Sequence, residues 1–390
     1  MLNIHSVIPL RKWALAASPR SSARLVTLDI FRGLCIVGMV LVNYPGDPTQ
    51  VFAPIRHVEW HGWTLADLIA PGFLWVIGVV VPLTIRKNLA AGLSYERLQM
   101  MILRRSVMLY ALGMLVDTIP ALNYLAREAA WAEIPALGIL QRIAVCYALA
   151  ASAFLWGGLR GTLGAAAACI GIYVAALYAF SFFSGHADRF SPQANFATWF
   201  DGLILGTSLN SGQGLITALT GTVTTLSGIA VGCYVGTGHE ANKNLLLLAL
   251  IGTVSLVLGE ALDRWIPINR YLWTPTFVLT TSGISMLLFV ALDYFTHWDM
   301  FVQAAKPLIV IGLNPITIYC LAAGVYGLAA SVGVTGLQGE WVSLWTLGYE
   351  QFLRLNLPPR LASLAMAAMY IMAIHLVAQF FNHRGWYIRI

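Results

Sequence analysis

The sequence predicts an all-α protein, a polytopic transmembrane helix bundle with about ten spans and one short interfacial or re-entrant segment. Two observations carry this. Hydrophobic residues make up 58% of the 390 residues and charged residues 10%. A soluble domain averages about 25% charged residues, so this chain has too few charges to cover a surface facing water. The apolar residues also gather into runs close to the roughly 20 that a bilayer-spanning helix needs.

Taken in order, the chain opens with a basic tail, 1–24, whose short apolar patch is broken by Arg11 and Lys12. That is a poor signal peptide and reads as a cytoplasmic segment. The ten runs are 26–43, 65–86, 103–121, 137–157, 162–183, 214–236, 244–262, 273–293, 305–329 and 360–382. Gly and Pro within several of them are tolerated in spans more than in soluble helices. WVSLWTLGYEQFL, 341–353, is apolar but short, and is the interfacial or re-entrant piece. No repeat and no soluble domain stand out, so 25–390 reads as one membrane domain. The five cysteines all lie inside apolar runs without a C-x-x-C pair. They read as small buried hydrophobes.

Ten spans place both termini on one side. With that side cytoplasmic, it holds fourteen of the 23 Lys and Arg residues, the far side holds eight, and Arg32 lies within the first span. The bias puts both termini inside. The formal net charge of +6 then reports topology, and nucleic acid is not an expected partner.

Charges inside spans cost roughly 2.5–3.5 kcal/mol each on insertion scales, so each needs a reason. Asp29 and Arg32 stand at i, i+3 on one helix face and read as a structural ion pair. Asp67, Asp117, Arg142 and Glu260 fall near the outer ends of their spans, and Asn43 closes the first span at the same level. Gln141 and Arg142 interrupt an otherwise apolar run, and a helix dipole does not favour a cation near an N-terminus.

At that outer level lies RHVEWHGWTLAD, 56–67. A metal site is weakly indicated, because His57 and His61 share a helical face while Glu59 points away, and no third His or Cys is near. No metal is expected. Trp60 and Trp63 suit an aromatic belt at the membrane surface. The third reading is catalytic. A histidine can take a proton near neutral pH, the amide of Asn43 can donate to a developing oxyanion, and Glu59 or Asp67 can orient the imidazole. Spacing alone leaves belt and catalysis open, and it does not choose between the two carboxylates.

The blocks RLVTLDIFRGLCIVGMVLVNYPG (24–46) and RHVEWHGWTLADLIAPGFLWVIGV (56–79) together resemble the opening of the heparan-alpha-glucosaminide N-acetyltransferase family, including its bacterial members. LGILQRIAVCY (137–147), PINRYLWTPTFVLTTSGISM (267–286), IGLNPITIYC (311–320) and HRGWYIRI (383–390) continue it in the family's order. The resemblance implies a membrane acetyltransferase that takes acetyl from cytoplasmic acetyl-CoA as co-substrate. It implies an amino-sugar or glycan acceptor at the far side and, without the extra luminal domain of the eukaryotic enzyme, a bacterial inner membrane. It places the active histidine at His57 and the functional asparagine at Asn43. His61 stands where the eukaryotic enzyme has Asn and carries no catalytic expectation.

Under that resemblance His57 is expected as general base and Asn43 as the residue that holds the carbonyl oxygen or the acceptor. An acetyl-His57 intermediate is the alternative chemistry. Gln141, Arg142, Trp273 and Asn314 are candidates for lining a donor or acceptor path, Asn314 having a helix–helix hydrogen bond as its plainer role. Arg104 and Arg105 are candidates for the CoA phosphates or plain topology signals. The rival class is a transporter that uses the same polar residues for a small solute. The lipid bilayer is the expected surrounding, and the oligomeric state stays open, a homodimer included.

Overall fold

The computed structural model describes residues 19–121, 137–184, 189–192, 195–205, 214–235, 241–335 and 341–388. Thirteen α-helices occur among them. In order they are α1 (Pro19–Asn43), α2 (Leu65–Ala90), α3 (Tyr95–Ala121), α4 (Ile139–Ser184), α5 (Phe196–Leu205), α6 (Thr217–Val235), α7 (Ala241–Leu262), α8 (Pro275–Phe295), α9 (Asp299–Ala304), α10 (Lys306–Gly312), α11 (Pro315–Ser331), α12 (Leu344–Arg354) and α13 (Pro359–His383). A two-stranded antiparallel hairpin, β1 (Gly333–Thr335) and β2 (Trp341–Ser343), precedes α12. The expected all-α bundle is what the chain forms.

Among the described residues eight helices are long and apolar enough to cross a membrane, nine if α10 and α11 count as one bent span. The ten expected runs map onto these with one merger. α4 has 46 residues, about 69 Å of helix, more than twice the roughly 30 Å of hydrocarbon in a bilayer. It is interrupted at Gly158, whose φ of 56° and ψ of −145° are not helical. Its two halves correspond to the runs 137–157 and 162–183. The run 305–329 is also broken: α10 and α11 meet at 88°, because Asn314 leaves helical geometry and Pro315 brings no N–H to continue the ladder. The piece expected at 341–353 is α12, with 11 residues too short to span. The expected tail, 1–24, lies outside the described residues up to residue 18, and α1 already begins at Pro19. α5 had no counterpart in the sequence reading.

The chain divides into two compact units, Arg56–Leu287 and the segments that flank it, up to Ile55 and from Leu288 onward. In the central unit, α6 packs between α2 and α4, and glycines bring the backbones together. Cβ positions on Gly78, Gly228 and Gly232 would lie 2.1–2.2 Å from carbonyl oxygens of the facing helix. Val81, Ile85, Leu98, Tyr147, Phe154, Leu226 and Ile229 fill the core between α2, α3, α4 and α6. The flanking unit is built on α1. Gly33 meets the carbonyl of Leu308, and Gly312 meets the carbonyl of Asp29. This close crossing by small residues is the packing that stabilises helices where no water drives association.

Candidate functional site

The stretch 56–64 runs into α2 and belongs to the central unit. Gly62, at φ +93°, lets the chain turn, and its N–H donates to Ile268 O at 2.8 Å. Thr64 is the residue before α2, and Asp67 stands three positions later. Carboxylates are favoured in a first helical turn, where backbone N–H groups lack partners. Asp67 Oδ2 accordingly accepts the N–H of Thr64 at 2.9 Å and that of Val58 at 3.2 Å. It also faces the Thr64 hydroxyl at 3.0 Å.

The other oxygen of Asp67 faces His57, with Oδ1 2.7 Å from Nδ1. The Asp67 side chain is wholly buried, and that of His57 is 31% exposed. An ionised carboxylate can only accept hydrogen bonds, so Nδ1 carries the proton and a neutral His57 leaves the lone pair on Nε2. This is the arrangement in which a carboxylate orients an imidazole to act as a base. Arg270 also donates to Asp67 Oδ1, through Nη1 at 3.2 Å.

Arg270 comes from the segment between α7 and α8, which docks directly on 56–64. Asn269 donates Nδ2 to Trp60 O at 2.8 Å, and its own Oδ1 accepts the N–H of Leu272 at 2.9 Å. Trp60 stacks on Tyr271 at 5.5 Å and 17°, while its Nε1 donates to Phe190 O. The guanidinium of Arg270 lies over the Tyr271 ring at 4.5 Å. Two more side chains of the stretch are tied elsewhere: His61 Nε2 meets Asp263 at 2.9 Å, and Trp63 Nε1 donates to Glu260 at 2.9 Å. Glu59 is exposed and has no hydrogen bond or ion pair among the described residues.

Other expected residues of this unit form buried polar groups at the same helix ends. Arg142, 5% exposed, donates Nη2 to Thr217 Oγ1 at 3.1 Å and lies over the Trp273 ring at 4.7 Å. Its Nε is buried with no hydrogen-bond partner among the described residues. Trp273 takes φ 48°, a conformation that costs a bulky residue about 1–3 kcal/mol. Its Nε1 donates to Thr224 Oγ1. Gln141, fully buried, donates to Asp117 Oδ2 at 2.8 Å. Asp201 of α5 accepts the Leu215 N–H at 2.9 Å. Burial pushes its carboxyl above the ordinary range, against the pull of that N–H and of Arg142. Arg104 is exposed, and Arg105 lies over the Tyr147 ring at 4.8 Å.

The flanking unit holds the rest. Asn43 ends α1, half-buried, and its side chain makes no hydrogen bond among the described residues. Its neighbour Tyr44 packs in an aromatic group with Tyr326, Trp345 and Tyr370, and Trp345 Nε1 donates to Pro45 O. Asp29 and Arg32 form the expected pair at 3.0 Å. Asn314 is engaged on both sides of its amide: Nδ2 donates to Trp386 O and Oδ1 accepts the Ile388 N–H, each at 2.9 Å. Its side chain therefore holds the end of the chain against the break between α10 and α11.

The structure thus joins His57 to Asp67, leaves Glu59 apart and adds Arg270, which sequence reasoning missed. Nothing local in PINRYLW distinguishes Arg270 from an ordinary loop cation.

Residues 24–193 match the family described as "Heparan-alpha-glucosaminide N-acetyltransferase, catalytic". A curated mouse protein named heparan-alpha-glucosaminide N-acetyltransferase is 25% identical over 393 aligned residues, covering 85% of this chain and 56% of the relative. The human protein of that name is 36% identical over 135 residues, 35% of this chain and 19% of the relative. The chain spans about half the length of the mouse relative, and the human match is shorter still.

Proposed function

From a chain whose residues 24–193 match the heparan-alpha-glucosaminide N-acetyltransferase catalytic family, we propose a membrane-embedded N-acetyltransferase. It transfers acetyl from acetyl-CoA to the amine of a glucosamine-type sugar or glycan. The observation that carries this reading is the His57–Asp67 pair, a partly exposed imidazole fixed through Nδ1 by a buried carboxylate. The donor enters from the cytoplasm, where both termini lie, and the acceptor is met at the outer face of a bacterial inner membrane. The charge bias of the loops supports that sidedness.

In this mechanism the neutral acceptor amine attacks the thioester carbonyl carbon as Nε2 of His57 takes a proton from the nitrogen. The carbonyl π electrons move to oxygen and return as the C–S bond breaks. CoA leaves as thiolate and recovers a proton, directly or through His57. A positioned base of this kind contributes about 10²–10⁴-fold. Asn43, with an amide unengaged among the described residues, is assigned to the carbonyl oxygen or the acceptor. A donor so placed is worth about 10²–10³-fold. Asp67 is the carboxylate assigned to His57. Gln141, Arg142 and Trp273 remain assigned to lining the substrate path, and Arg105, drawn against Tyr147, is a weaker phosphate partner than Arg104. Direct transfer is the reading adopted; the tautomer that Asp67 fixes leaves Nε2 free for a base or a nucleophile alike, and trapping of an acetyl-enzyme would establish acetyl-His57 instead.

The test is purified protein with acetyl-CoA and simple hexosamines, following release of free thiol. Acceptor-dependent release in the wild type and its loss in folded His57→Ala are expected. Wild-type turnover in that variant would remove His57 from the chemistry. Hexosamine uptake without consumption of acetyl-CoA would favour a transporter.

A further inference from the structure

Asp67 Oδ1 is shared. It takes the Nδ1 proton of His57 at 2.7 Å and the Nη1 proton of Arg270 at 3.2 Å. Its other oxygen is occupied by Val58 and Thr64, and the carboxylate has no exposed surface. The carboxylate and the guanidinium on its oxygen have opposite consequences for the imidazole. A carboxylate alone against a histidine favours the imidazolium, which has no lone pair left to accept a proton. A guanidinium on the same oxygen cancels the charge that creates that preference.

We propose that Arg270 is a positioning residue that sets the resting charge of His57. It completes the anchoring of Asp67 and offsets the carboxylate's charge at the imidazole, which favours the form with Nε2 open. This deepens the acetyltransferase reading above and rests on it for its catalytic meaning.

The surroundings fit the role. Arg270 is 20% exposed at its side chain and lies over the ring of Tyr271, which is itself stacked on Trp60. Its charge is therefore fixed beside the pair and does not sweep through solvent. The charged groups on the packed elements are spent on other partners: Asp263 on His61, Glu260 on Trp63, Arg264 over Trp265 and Arg189 over Tyr178. Arg56 and Glu59, on the stretch itself, are exposed. Arg142 is within electrostatic reach of Arg270 and adds positive charge in the same sense.

The experiment is a histidine titration by NMR on the purified full chain, labelled at the imidazole Cε1, with His57 assigned by its loss in His57→Gln. In Arg270→Gln the His57 midpoint is expected to rise by about one pH unit, the size of one partly screened neighbouring charge. In Arg270→Lys, which keeps the charge, it is expected to stay near the wild type. Arg270→Met, which keeps the packing over Tyr271, is read by the same criterion if the amide variant does not fold. An unchanged midpoint in a folded charge-free variant would overturn the proposal. The acid limb of kcat/KM for acetyl transfer is expected to move with the NMR midpoint. A uniform fall in activity at every pH, without movement of the limb, would reduce Arg270 to a structural residue. A shifted midpoint in a protein that turns over no acetyl-CoA would uphold the Arg270 assignment and sink the acetyltransferase reading.

Discussion

Replacing Asp67 by Asn keeps the volume and one acceptor oxygen and removes the charge. The native carboxylate receives backbone N–H donors from Val58 and Thr64 on Oδ2, and His57 and Arg270 on Oδ1. An amide has only one oxygen to offer. Turning that oxygen to the two backbone donors satisfies groups that cannot move and leaves the NH₂ facing His57. The imidazole must then accept at Nδ1 and carry its proton on Nε2, the wrong tautomer for a base. In a serine protease the same replacement lowers kcat about 10⁴-fold. Here His57 is 31% exposed, and water can restore part of the correct tautomer. The expected loss is therefore about 10²–10³-fold in kcat, with KM for acetyl-CoA little changed. The assay is acceptor-dependent release of CoA thiol, with gel filtration in detergent to confirm the fold. Glu59→Gln, at an exposed and unpaired carboxylate, is the matched control and is expected within about twofold of the wild type. A folded Asp67→Asn protein with wild-type kcat would refute the tautomer argument.

Two further outcomes follow from packing and burial. Gly33→Ala puts a Cβ 2.0 Å from the carbonyl oxygen of Leu308, so α1 and α10 must separate. A loss of about 1–3 kcal/mol should lower the thermal midpoint, and an unchanged midpoint would mean the crossing is looser than described. Asp201 is raised by burial, so its contribution to stability is fully present below the ordinary carboxylate value of about 3.9 and is lost as pH rises through the raised one. Asp201→Asn should remove that component, so its thermal midpoint should gain on the wild type between acid and neutral pH. A difference that stays constant with pH would contradict the burial assignment.

Much of the architecture was legible because membrane spans are written locally. A run of about 20 apolar residues declares itself without knowledge of its neighbours, and α1, α2, α6, α7 and α8 fall on their expected runs. The departures have local causes that hydropathy does not register. Gly158 links two span lengths by a backbone break rather than a polar loop, and Pro315 splits one run into two pieces at 88°. α5 is apolar but only ten residues long, below the length that a span search detects.

The site divides in the same way. The sequence by itself determined that polar and chargeable residues gather near the ends of several spans, and that His57 lies in the stretch entering α2. It could not choose between Glu59 and Asp67, since both are near in the chain. Nor could it single out Arg270, which lies 203 residues from the carboxylate it binds. Tertiary structure decided both points. A helix N-terminus directs the carboxylate at its third position back onto the preceding stretch, so Asp67 reaches His57 while Glu59 faces outward. The Trp60–Tyr271 stack then brings Arg270 onto the same oxygen. Hydrogen-bond partnership depends on distance in space, and between segments so far apart along the chain only the packed fold sets that distance.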